Sequence, residues 1–128
     1  MKVSEYIEKV INSNKLGNTS EHRLRGDLQQ LLKTLLPNLS VTNEPMSIDY
    51  GIPNYVISEE GLPIVYIKTT DIGTDLDELD GTEDVRRFKA SLSNLITTNY
   101  LYFRWYKDGN IITTFSIGQI LQNKLGSM

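Results

Sequence analysis

The sequence predicts an α+β protein, an α/β sandwich with a mixed central sheet flanked by helices. Three observations carry that expectation. Leu24, Leu28, Leu31, Leu32 and Leu35 recur at helical spacing. Two runs rich in β-branched and aromatic residues, Tyr55-Val56-Ile57 and Ile64-Val65-Tyr66-Ile67, flank the turn Glu59-Glu60-Gly61. Two more, "NYLYFRWY" and "NIITTFSI", flank Lys107-Asp108-Gly109-Asn110, whose Asp-Gly pair is a strong hairpin signal.

The elements follow in order. Val3, Ile7, Val10 and Ile11 form an apolar stripe that predicts a short first helix, ended by "NSNKLGN". Thr19 or Ser20 can cap the second helix, and Pro37 stops it. A strand near Ser40 to Ile48 comes next, with Pro45 marking an edge position or a bulge, and the central hairpin follows. The stretch "DIGTDLDELDGTED" holds seven acids between Asp71 and Asp84 and reads as an exposed loop with too few apolar residues for an element of its own. Thr82 is the expected cap of a third helix that turns Val85, Phe88, Leu92 and Leu95 inward, with Glu83 and Asp84 at the positive end of its dipole. The second hairpin and a last short helix within "SIGQILQNKL" complete the order α, α, β, β, β, α, β, β.

At 128 residues the chain is read as one domain over 1–128, without repeat or linker. A domain of that size buries roughly two thirds of the surface its unfolded chain exposes, so no staple is needed. The absence of Cys excludes disulfides, thiolate metal sites and Cys nucleophiles, and the single His argues against a His-based metal centre. No apolar run is long enough to span a membrane, so the expectation is a cytoplasmic protein without a membrane partner. A net charge of −3 argues against a surface wholly devoted to nucleic acid, while leaving room for a local basic patch.

The central hairpin ends in Lys68, Thr69 and Thr70. Because strand residues alternate faces, Lys68 and Thr70 share a side, and Asn54 stands at the start of the partner strand. Three polar side chains are thereby expected at one end of the sheet.

The segments "SEHRLRGDLQQLLKTLLP", "VTNEP", "YGIPNYVIS", "PIVYIKTTDIGTDLD" and "LITTNYLYFRWYKDG" resemble, over about residues 18 to 110, the N-terminal nuclease domain that precedes a DNA adenine methyltransferase in single-chain restriction-modification enzymes. The resemblance implies a PD-(D/E)XK, restriction-endonuclease-like fold, magnesium-dependent cleavage of DNA, and a longer parent chain whose methyltransferase domain is a partner. That chemistry uses an acid after a Pro, then an acid, one spacer and a Lys on the next strand. The carboxylates hold a hard cation while the Lys orients the attacking water.

This chain departs from the pattern at each of those positions. Asn54 follows Pro53, and Lys68-Thr69-Thr70 stands where the resemblance leads one to expect Glu-Ala-Lys. Asp84 occupies the place of a Gln and Phe88 that of a Tyr, and Glu21 alone keeps its acid. An ammonium about 4 Å from a divalent cation is repelled by roughly 8 kcal/mol at an effective dielectric of about 20. The expectation is a degenerate nuclease domain, a pseudoenzyme with no bound cofactor, whose catalytic positions are Glu21, Asn54, Lys68 and Thr70.

Two alternatives stand beside it. Cleavage can survive with magnesium on relocated ligands drawn from Glu21, Asp49 and Asp71, although an acid in an acidic loop is more often only solvated. Alternatively the domain docks on a methyltransferase and never touches DNA. His22, Arg23 and Arg25 at the second helix, and Arg86, Arg87 and Lys89 on the third, are the candidates for weak contact with duplex DNA. Charges on a helix are usually just its solvated face, and Glu21 can simply pair with Arg25 at i+4. Tyr100, Tyr102, Phe103, Trp105 and Tyr106 suit a base-stacking platform less well than cross-strand packing.

Overall fold

The computed structural model of the chain describes residues 1–15, 21–43 and 53–117. Two helices come first, α1 (Val3–Lys15) and α2 (Glu21–Leu35), then three strands, β1 (Ser40–Asn43), β2 (Tyr55–Glu59) and β3 (Leu62–Thr69). Helices α3 (Leu76–Asp80) and α4 (Glu83–Ser91) lead to β4 (Asn94–Thr98), β5 (Tyr102–Lys107) and β6 (Asn110–Ser116). The six strands form one sheet in chain order. All neighbours are antiparallel except β3 and β4, which are parallel and therefore need the crossover that α3 and α4 supply. This is a mixed α+β sandwich, as the sequence predicts.

Strand alternation divides the core in two. Val41, Tyr55, Ile57, Ile67 and Phe103 point to one face and pack against Val3, Tyr6 and Val10 of α1 and Leu24, Leu28 and Leu31 of α2. Leu95 and Tyr106 point to the other face and meet Leu76, Leu79, Val85 and Phe88 of α3 and α4. The leucine stripe of α2 is thus a packing face, and burying each such side chain contributes roughly 1.5–3 kcal/mol. Two phenols tie this layer to the sheet. Tyr6 donates to the Tyr100 carbonyl at 2.7 Å and Tyr55 to the Arg25 carbonyl at 2.7 Å.

The structure corrects the sequence reading at the acidic stretch. Asp75 caps α3, its side chain accepting the Asp77 N–H at 2.9 Å, and Leu76 and Leu79 are buried one turn apart. A five-residue helix therefore stands where an irregular loop is expected. The second correction concerns Leu92 and Leu95. Thr82 caps α4 as expected, but the helix ends when Leu92 turns extended at φ −106° and ψ 137°, and Leu95 belongs to β4. The stripe 85, 88, 92, 95 continues across the break by coincidence, so a strand of Ile96, Thr97 and Thr98 hides in a helical pattern.

Strand β1 ends at Asn43, and Pro45, like the Thr19 and Ser20 cap and most of the last short helix, lies outside the described residues. The aromatic run serves packing. Phe103 stacks on Phe115 of β6 with centroids 5.6 Å apart, Tyr100 and Tyr106 are buried, and Tyr102 is exposed. No helix among the described residues is long and apolar enough to cross a membrane.

Candidate active site at the end of the central strands

Asn54 precedes β2 and sits beside the last residues of β3. Its backbone N–H donates to the Ile67 carbonyl at 2.9 Å, and its side-chain Oδ1 accepts the Thr69 backbone N–H at 2.8 Å. The amide is buried, so that bond is made away from competing water. Thr70 extends the parallel pairing by one residue, donating its N–H to the Thr98 carbonyl at 2.9 Å. Lys68 lies between, half-buried, on the strand face opposite Ile67 and Thr69. Asp71 is exposed in the turn beyond, where its carbonyl accepts the Thr74 N–H at 3.1 Å, and Gly73 adopts φ 89° to close that turn.

The candidate positions Asn54, Lys68, Thr70 and Asp71 offer one neutral amide oxygen already bonded to backbone, one ammonium, one hydroxyl and one exposed loop acid. Magnesium wants several oxygen ligands, carboxylates among them, in near-octahedral array, and these residues do not fit it. No group of three or more His, Cys, Asp or Glu capable of holding a metal occurs among the described residues. Glu21 begins α2, but its side chain and those of His22 and Arg23 lie outside the described residues, as does Asp49. Arg25 is half-buried in α2.

The basic residues of α4 are partly engaged within the protein. Arg87 pairs with Glu83 at 3.0 Å, and Lys89 lies 5.1 Å from the centre of the Tyr106 ring. Arg86 is exposed and makes no ion pair among the described residues.

A polar cluster that the sequence reading did not identify lies on the face covered by α3. Lys68 of β3, Thr97 of β4, Arg104 of β5 and Thr114 of β6 are successive partners across the sheet. Arg104 donates from Nη1 to Asp80 at 2.7 Å and to Asp77 at 2.8 Å, and from Nε to the Thr114 hydroxyl at 3.0 Å. The Tyr106 hydroxyl donates to the same Asp80 oxygen at 2.5 Å. Burial and the Asp80 carboxylate together push the Tyr106 phenol up to about 12. Burial works against the Arg104 charge, but hydrogen bonds to Asp80 and Asp77 outweigh it and hold the guanidinium above its ordinary value.

Asp80 is only 6% exposed, and its other oxygen, like the Thr97 hydroxyl, has no hydrogen-bond partner among the described residues. The signal in the sequence was the spacing Asp75-x-x-Glu78 before Leu79, a helix-start pattern that would have placed Asp80 over the sheet. Beside this cluster, a pocket of about 370 Å³ opens between Thr74, Asp75, Asn99, Tyr102 and Arg104. It lies toward the same C-terminal ends of β3 and β4 as Thr70. Asn99 shapes its wall, donating to the Thr74 carbonyl at 2.7 Å and accepting the Tyr102 N–H at 2.8 Å.

No family model matches the chain, and no curated protein matches it. Among solved structures, one described as the cryoEM structure of a DrdV–DNA complex superposes with a TM-score of 0.71 at 18% identity. The match covers 97% of this chain and 13% of that chain, so the present chain spans a small part of its length. At that identity the likeness speaks to the fold alone. It is the restriction-endonuclease-like arrangement of a mixed sheet between helical layers.

Proposed function

We propose that the chain is a restriction-endonuclease-like domain with degenerate catalytic positions, which contacts duplex DNA weakly and does not cleave it. One observation carries the reading. Asn54 spends its only side-chain oxygen on the Thr69 N–H at 2.8 Å, and the residues flanking Thr69 are an ammonium and a hydroxyl. In the resembling nucleases, carboxylates at the positions of Asn54 and Lys68 gather the cation, and a lysine at that of Thr70 assists the water. Here the strand end is held together by an amide-to-backbone bond and offers no charge pair of that kind.

The DNA part of the reading rests on the sequence resemblance and on the structural neighbour being a DNA complex. Arg86, which is exposed on α4, is its first candidate contact. The methyltransferase domain of a longer parent chain is the further partner the resemblance implies.

The test is a plasmid-nicking assay on the purified chain with magnesium and with manganese. No cleavage above the buffer background is expected with either ion. Robust cleavage that disappears in Asp71→Ala or Glu21→Ala would overturn the reading and establish relocated ligands.

A further inference from the structure

Of the five aromatics between Tyr100 and Tyr106, Tyr102 alone is exposed, at 52%. It stands two residues from Arg104 on β5, hence on the same face of the sheet, and both line the pocket of about 370 Å³ together with Thr74, Asp75 and Thr114. The walls of that pocket are fixed by bonds of the protein itself. Asn99 joins them, donating from Nδ2 to the Thr74 carbonyl at 2.7 Å and accepting the N–H groups of Leu101 and Tyr102 at 3.1 Å and 2.8 Å. The Thr98 hydroxyl accepts the Tyr100 N–H at 3.0 Å and donates to the Tyr102 carbonyl at 2.8 Å. Between them Tyr100, fully buried, is held at φ 76°, a left-handed conformation that bulky residues rarely adopt and that persists only where the surroundings over-determine it.

The lining selects the ligand. Arg104 commits Nη1 to Asp77 and Asp80 and Nε to Thr114, while Nη2 makes no hydrogen bond among the described residues and is not buried. Asp75 gives one oxygen to the Asp77 N–H, and its other oxygen is left to accept a bond. The pocket therefore offers a donor and an acceptor beside an exposed phenol ring. A small anion does not suit it, because Arg104 is already paired with two carboxylates and Asp75 adds a third. A small cation meets the guanidinium. What suits the set is a neutral planar ring that stacks on Tyr102 and carries both an acceptor for Arg104 and a donor for Asp75. Nucleobases are such rings, and the volume falls within the roughly 300–1,000 Å³ of small-ligand sites. We propose that this pocket takes a single unstacked nucleobase, its face on Tyr102 and its edge bonded to Arg104 Nη2 and Asp75. A base inside a duplex is stacked and paired, so the occupant is an unpaired or extruded nucleotide. The proposal goes beyond duplex contact through Arg86 and does not depend on it.

The probes are adenosine, cytidine and guanosine, with inorganic phosphate as the anion control, each titrated into the isotope-labelled chain. The nucleosides are expected to shift the amide resonances of Thr74, Asn99 and Tyr102 saturably at millimolar concentration, and phosphate to leave them in place. Tyr102→Ala should weaken nucleoside binding at least about fivefold, the low end of what one base–aromatic stack is worth. Asp75→Asn retains an oxygen to cap α3 but loses the charge, and it should weaken binding with an unchanged circular dichroism spectrum. The absence of nucleoside shifts, or equal affinity in both variants, would overturn the inference. So would phosphate moving the same resonances, which would make the pocket an anion site. No duplex enters the measurement, so failure of the DNA reading leaves this proposal standing, and its own failure leaves that reading standing.

Discussion

The side-chain oxygen of Asn54 accepts the backbone N–H of Thr69 at 2.8 Å, so the residue before β2 locks the end of β3. An amide and a carboxylate serve that bond equally in shape, since either presents an oxygen to the N–H. They differ in what is left over. Aspartate would keep a second oxygen and a negative charge for a cation, whereas asparagine keeps an NH₂ group that only donates. The frame of the strand end is therefore compatible with a carboxylate at position 54, and under the proposed reading asparagine keeps the scaffold while lacking the ligand.

That compatibility predicts reversibility. Asn54→Asp, Lys68→Glu and Thr70→Lys introduced together should restore divalent-ion binding, read as heat on titration with manganese, and at least trace plasmid nicking. Each alone should do little, because groups that act as a unit are strongly non-additive. A triple variant that folds but gives neither heat nor nicking would show that the resemblance does not extend to the catalytic positions.

Weak DNA contact should carry an electrostatic signature. With Arg87 held by Glu83 and Lys89 over Tyr106, few cations of α4 are left to neutralise phosphates. Fluorescence anisotropy with a duplex is expected to give micromolar or poorer affinity that falls steeply with salt. Arg86→Ala should weaken binding further and flatten the slope by about one phosphate contact. Tight binding that ignores salt would contradict the proposal.

How much of this was legible in the sequence depends on the kind of signal. The leucines of α2 and the Asp-Gly turn between β5 and β6 declare themselves because periodicity and turn chemistry are local. The strand β4 did not, because Leu92 and Leu95 continue the spacing of Val85 and Phe88 while the backbone has already turned extended. Helix α3 was hidden by its charge. Its seven-acid neighbourhood looks solvated until Asp80 is seen pressed against Arg104, a partner 24 residues away that no local pattern reveals. At the strand end, alternation places Lys68 opposite Ile67, but the bond from Thr69 to Asn54 is a long-range contact that only the folded sheet displays.

Asp80 is expected to matter more for stability than any other acid of that stretch. Its carboxylate takes bonds from both Arg104 and Tyr106, and the Arg104 side chain is only 14% exposed. Asp80→Ala leaves a guanidinium and a phenol without their shared acceptor, and breaking a buried pair in this way typically costs about 3–5 kcal/mol. Because Arg104 retains Asp77, the lower end of that range is expected. Asp77→Ala, at a side chain 79% exposed, should cost under about 1 kcal/mol. Urea denaturation of the two variants would check the contrast, and equal losses would mean that the Asp80 contacts contribute no more than a surface pair.

The same cluster should set the alkaline limit of the fold. The Tyr106 phenol is pushed up to about 12 in the folded protein, first by burial and then by the Asp80 carboxylate that accepts its proton, with Arg104 opposing the shift. In the unfolded chain the phenol titrates near 10. Burial raises the Tyr6 phenol as well, with Tyr100 and Asp27 adding to the shift. A group whose folded value lies above its unfolded value contributes stability that is complete below the unfolded value and is lost as pH rises toward the folded one. The free energy of unfolding should therefore be insensitive to these phenols below about pH 10 and should fall between about pH 10 and 12. Tyr106→Phe should make that fall shallower while lowering stability at neutral pH through the lost bond to Asp80. Denaturation midpoints measured from pH 8 to 12 for both proteins would show it, and parallel pH curves would mean that Tyr106 ionises as freely in the folded state as in the unfolded one.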